Sequence, residues 1–82
     1  MITTSIVRED AYKRKTKRAK VGQKVVIELA KKERDKPAEF FQTEAVILQI
    51  HPVAFEPTRY IVDAAVGGRQ EIGQVHIVGA AK

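Results

Sequence analysis

From Val21 onward, apolar residues recur at every second position in short runs, and nowhere do they hold the three-to-four spacing of a helical stripe. In VGQKVVIEL, Val25, Ile27 and Leu29 fall on one face and Val26 and Glu28 on the other, the period of a half-buried strand. KKERDKPAE, with Pro37, reads as a charged loop. EAVILQI, residues 44–50, is nearly all apolar and branched, as a central strand is. It stops at His51-Pro52, and VAFEPT forms a second irregular connection around Pro57. RYIVDAAV follows as a strand with Tyr60, Val62, Ala64 and Val66 on one face. Gly67-Gly68 supplies the positive backbone angles of a tight two-residue hairpin turn. The return run RQEIGQVHIV sets Ile72, His76 and Val78 on one side and Val75 and Ile77 on the other, with Gly73 as a bulge or corner. ITTSIV adds a further strand at the start. ELAKKERDK has good helix propensity, but no apolar stripe for a helix to pack with.

Four to five short strands in 82 residues predict an all-β fold, a small antiparallel barrel. The SH3-like type is the first choice and an OB-like barrel the second. The barrel occupies residues 21–82, and residues 1–20 form a basic N-terminal arm. A chain this short buries a modest fraction of its surface, so the core is thin and has little room for an enclosed cofactor site. There is no Cys, which fits a reducing compartment. No apolar run approaches the roughly 18 residues of a membrane span, and the opening MITTSIVRED lacks the basic-then-apolar order of a secretory signal. A cytoplasmic protein without a membrane partner is expected.

The charge is unevenly placed. Residues 8–20, REDAYKRKTKRAK, carry seven cations and two anions, whereas the rest of the chain carries eight of each and is neutral. Within this stretch, KRKTKRAK has no apolar face in either helical or extended form, so a flexible arm is the default reading. Extended, its eight residues reach roughly 26 Å, enough to follow several phosphates. Lys13, Arg14, Lys15, Lys17, Arg18 and Lys20 are therefore the candidate contacts to DNA or RNA, through salt-dependent neutralisation of backbone charge. Arg59 and Arg69 extend that path if they share a face, and Phe55, beside Glu56 and Pro57, is the candidate for base stacking. Phe40, Phe41 and Phe55 fall in or beside the two loops, and a thin core favours packing Phe40 or Phe41 inside, with core packing also the alternative for Phe55. Anionic lipid suits the stretch less well, since it has one aromatic and no insertable face.

No catalytic constellation emerges, and a non-enzymatic protein with no metal and no small-molecule cofactor is expected. His51 and His76 lie 25 residues apart without carboxylates at ligand spacing, and His76, between Val75 and Ile77, suits a hydrogen-bonded structural role. Ser5 is the only serine, Asp63 is expected to face solvent, and VGGRQEIG lacks the spacing of a phosphate-binding loop. The order VGQKV, RYIVDA, GQVHIVGAA resembles the layout of SH3-like barrels and is similar to that of the type II dihydrofolate reductases. At that family's functional motif, a Gln and a Tyr flanking an Ile, this chain has Val75, His76, Ile77 and Val78. The resemblance thus implies a barrel and not the activity. The alternative to nucleic-acid binding is a phage- or plasmid-type assembly module. It would pair homo-oligomerically through edge strands, with EAVILQI and QVHIV as the expected segments, while the arm docks an acidic partner.

Overall fold

The computed structural model describes residues 2–13, 19–52, 54 and 58–81, with the backbone alone for Tyr12 and Lys13. The strands are β1 (Ile2–Thr3), β2 (Lys24–Lys31), β3 (Glu39–His51), β4 (Arg59–Ala64), β5 (Gly68–Gly73) and β6 (Ile77–Ala80). Two short 3₁₀ turns, Glu9–Lys13 and Gln74–His76, complete the described elements, and no helix among them is long and apolar enough to cross a membrane.

All pairings are antiparallel, in the order β1-β2-β3-β4-β5, with β6 returning to β2. One edge of β2 is filled by β3, from Lys24↔Val46 to Lys31↔Glu39. The other is shared: β1 takes Ala30 and Lys31, and β6 takes Val25 to Ile27. Both ends of the described chain therefore meet on one strand, and the sheet curls into an antiparallel half-barrel. This is the all-β architecture the alternating runs predict.

The concave face holds the core. Val25, Ile27 and Leu29 of β2 pack with Ala45 and Ile47 of β3, Tyr60, Val62 and Ala64 of β4, Ile72 of β5 and Ile77 of β6. Tyr60 is the largest fully buried side chain; its hydroxyl donates to Oε1 of Gln74, so the ring sits in apolar surroundings and its polar end is satisfied. Phe41 packs against this cluster from β3.

Three local features differ from the sequence reading. First, the β4–β5 connection is a three-residue loop, residues 65–67, closed by Ala64↔Gly68. Gly67 (φ +92°) and Gly68 (φ +70°) both adopt left-handed backbone, as the turn chemistry requires, but the strand ends at Ala64. Val66 therefore leaves the inner face and is 43% exposed at the hairpin tip. Second, β3 begins at Glu39, so Phe40 and Phe41 belong to a strand rather than a loop. The register steps from Ile47↔Val62 to Gln49↔Ile61, leaving Leu48 as the extra residue of a bulge. Such a bulge increases local twist and lets so long a strand bend around the core. Third, RQEIGQVHIV is two strands separated by a 3₁₀ turn, not one strand. Gly73 is the corner, and the turn resets the alternation so that Ile72, His76 and Ile77 are all buried.

Candidate nucleic-acid interface

The basic run is bracketed by seated residues. On its N-terminal side, β1 pairs with β2, and the carbonyl of Thr4 accepts a hydrogen bond from His76 Nε2 (3.0 Å). His76 Nδ1 in turn accepts from the Gly73 N–H (3.2 Å), so the ring carries its proton on Nε2. Next comes Arg8. Its Nε lies 3.9 Å from Glu28 Oε1, and its guanidinium sits 5.1 Å from the centroid of the Phe40 ring. Cation–π attraction and an ion pair thus act on one side chain, holding residue 8 across the convex face of β2 and β3. Glu28 is only 6% exposed, and Ala30 beside it is fully buried, although both point away from the core. Ala11, in the first 3₁₀ turn, is 3% exposed, and its N–H donates to the Arg8 carbonyl.

On the C-terminal side, Ala19 joins the core cluster at 5% exposure. Residues 20–23 then form a β-turn: the Gln23 N–H donates to the Lys20 carbonyl (3.0 Å), and Gly22 takes φ +85° at the third position, where type II turns demand a positive angle. The Gln23 side chain accepts from the Lys20 N–H (3.0 Å), which closes the turn from the other direction. Gly22 N–H to Ile47 O (2.7 Å) and Ile47 N–H to Gln23 O (3.0 Å) tie this turn to β3.

The candidate contacts distribute as follows. Lys13 ends the first 3₁₀ turn, and Lys20 is exposed at the start of the β-turn. Arg14, Lys15, Lys17, Arg18 and Phe55 lie outside the described residues. Arg59 and Arg69 do share a face, the convex side of β4 and β5, but Glu71 and Asp63 stand on the same face. Arg59 Nε is 3.9 Å from Glu71 Oε1, and Arg69 is in register with Asp63. That face is consequently close to neutral. Lys24 is likewise 3.9 Å from Glu44. Asp63 is exposed, as its outward position on β4 predicts. The residues that sequence reasoning missed are Arg8 and Glu28. Their only trace was Val26 and Ala30 flanking Glu28, an apolar pair on a face expected to be wet.

Of the segments expected at an oligomer interface, EAVILQI lies inside β3, where Glu44–Val46 pair with β2, Ala45–Ile50 run along β4, and Ile47 also bonds to Gly22 and Gln23. QVHIV is split between the second 3₁₀ turn and β6. No group of three or more potential metal ligands occurs among the described residues. Comparison with protein-family models, with curated protein sequences and with solved structures finds no match to this chain.

Proposed function

We propose that this protein binds nucleic acid through phosphate contacts made by Lys13, Arg14, Lys15, Lys17, Arg18 and Lys20. The observation that carries the reading is the location of charge. Net positive charge resides in residues 8–20, while the remaining cations and anions balance, and Arg59, Arg69 and Lys24 each stand near or opposite a carboxylate. Ala11 and Ala19, buried on either side of the run, support a second element of the proposal: the cations are offered as a segment fixed at both ends to the body. Fixing the ends lowers the entropy that a free tail loses on binding. Contacts of this kind follow the phosphate backbone and carry little base preference. Stacking by Phe55 is an accessory part of the same proposal.

The test is a titration of single-stranded and duplex oligonucleotides at several salt concentrations, comparing the native chain with a variant in which the six cations are replaced by Gln. Six phosphate contacts give a slope of log affinity against log salt of about −5 on duplex DNA and about −4 on single strands. Loss of binding and of slope in the Gln variant is the expected result. Equal binding by both proteins, or none by either near physiological salt, ends the proposal. Deleting residues 1–20 is the wrong comparison, because it also removes β1, Arg8, Ala11 and Ala19 from their places in the fold.

A further inference from the structure

β5 is the last strand of the sheet path, and among the described residues its outer edge has no partner strand. An open edge offers a row of unpaired backbone donors and acceptors, which another strand completes. What distinguishes this edge is its charge order. Arg69 and Glu71 both point to the convex face and are separated by Gln70, with Gly68 and Ile72 at the next positions outward. If the strand is read against itself in the antiparallel sense about Gln70, Arg69 falls opposite Glu71 of the other copy, and this happens twice by symmetry. Gly68 falls opposite Ile72, a small residue against a large one on the concave side. Asp63 is already in register with Arg69 within one chain, and Arg59 lies 3.9 Å from Glu71. The pairing therefore extends an alternating ladder of charge across four strands, and a shift of two residues in either direction loses the Arg69–Glu71 match.

We propose that two copies of this chain form a dimer by antiparallel pairing of β5 with β5, centred on Gln70 and held in register by reciprocal Arg69–Glu71 pairs. The contact is isologous, so it closes at two copies. It also brings the hairpin tip, with the exposed Val66, to the Gly73 corner of the other copy. The proposal does not depend on nucleic-acid binding.

The chain has no Cys, so a single introduced thiol reports the register directly. In the proposed pairing Gln70 faces its own copy across the dyad, with Cα atoms about 4.5–5.5 Å apart, inside the range that a disulfide bridges. Position 69 or 71 faces the other rather than itself. The expected results are a mass of about twice 9.2 kDa by sedimentation, and rapid disulfide dimerisation of Gln70→Cys under mild oxidation. Arg69→Cys and Glu71→Cys should each crosslink far more slowly. Arg69→Glu should weaken the dimer about tenfold, two like-charge pairs replacing two attractive ones. The double exchange Arg69→Glu with Glu71→Arg should restore it, with thermal melts confirming that each variant folds. A monomer at 100 micromolar or so, crosslinking that favours position 69 or 71, a closed ring of more than two copies, or no rescue by the double exchange overturns the proposal.

Discussion

At the scale of the residue, the structure assigns structural work to side chains whose sequence context looked dispensable. Arg8 stands beside two acids near the start of the chain, yet it is the partner of a buried carboxylate and the cap of an aromatic ring. Arg8 itself is about half exposed, which discounts the electrostatic part of the contact. Arg8→Ala should therefore cost about 1 kcal/mol in urea unfolding. Arg8→Lys should recover only part of that, because an ammonium lacks the flat stacking surface of a guanidinium. His76 bridges two backbone groups, the Gly73 N–H and the Thr4 carbonyl. His76→Leu keeps the bulk and strands both groups, at a cost of about 2–3 kcal/mol by chemical denaturation. Nitrogen chemical shifts of the ring should report the Nε2–H tautomer at neutral pH; the Nδ1–H form would contradict the geometry. Tyr60→Phe, removing one hydroxyl from its bond to Gln74, should cost about 1 kcal/mol.

At the scale of the element, Gly22 and Gly67 adopt backbone angles that other residues take only under strain. Open space surrounds a Cβ built at Gly22, so Gly22→Ala isolates the backbone term and should destabilise by about 1 kcal/mol. A smaller loss in thermal or urea melts would mean that the turn relaxes to another type. The existence of β2, β3, β4 and the β4–β5 hairpin was legible, because alternation and glycine placement act locally and leave their mark within a few residues, whereas the order of the strands in the sheet was not. The bulge at Leu48 and the three-residue loop were not. Each depends on how a strand meets its neighbour across the sheet, and the same residues would suit either register. The 3₁₀ turn at Gln74–His76 was half-legible: Gly73 announced a corner, but what followed depended on His76 finding Thr4, 72 residues away. Likewise, burial of Glu28 depends on a segment remote in sequence, so the alternation of β2 alone pointed it toward water.

At the scale of the whole molecule, the candidate site and the fold are separable by experiment. Removing residues 1–20 takes away β1, the clamp at Arg8 and two buried alanines, and should lower the melting temperature steeply or prevent folding. Replacing the six cations by Gln should leave the melting temperature within a few degrees. Scanning calorimetry of the two variants distinguishes these outcomes, and equal destabilisation would place the cations themselves in the fold. The charge asymmetry behind the candidate site was fully legible, since it is a property of composition along the chain. The placing of Glu71 and Asp63 on the same face as Arg59 and Arg69 was not, because it required the β4–β5 register.

The sharing of one edge of β2 between β1 and β6 also sets a timetable. The meander from β2 to β5 assembles from neighbours in sequence, each strand closing a short loop on the one before, whereas β6 must span some fifty residues to reach Val25 and β1 some thirty to reach Ala30. Loop closure makes distant contacts late ones. The Thr4–His76 bond, which ties residues 72 positions apart, belongs with these late contacts. Pulse-labelled hydrogen exchange during refolding should accordingly protect the amides of β3 and β4 first and those at the β1 and β6 junctions last. The stretch that flanks the cations would then be the final piece of the protein to lock, so a chain caught before that moment would carry its charge on a body not yet able to present it.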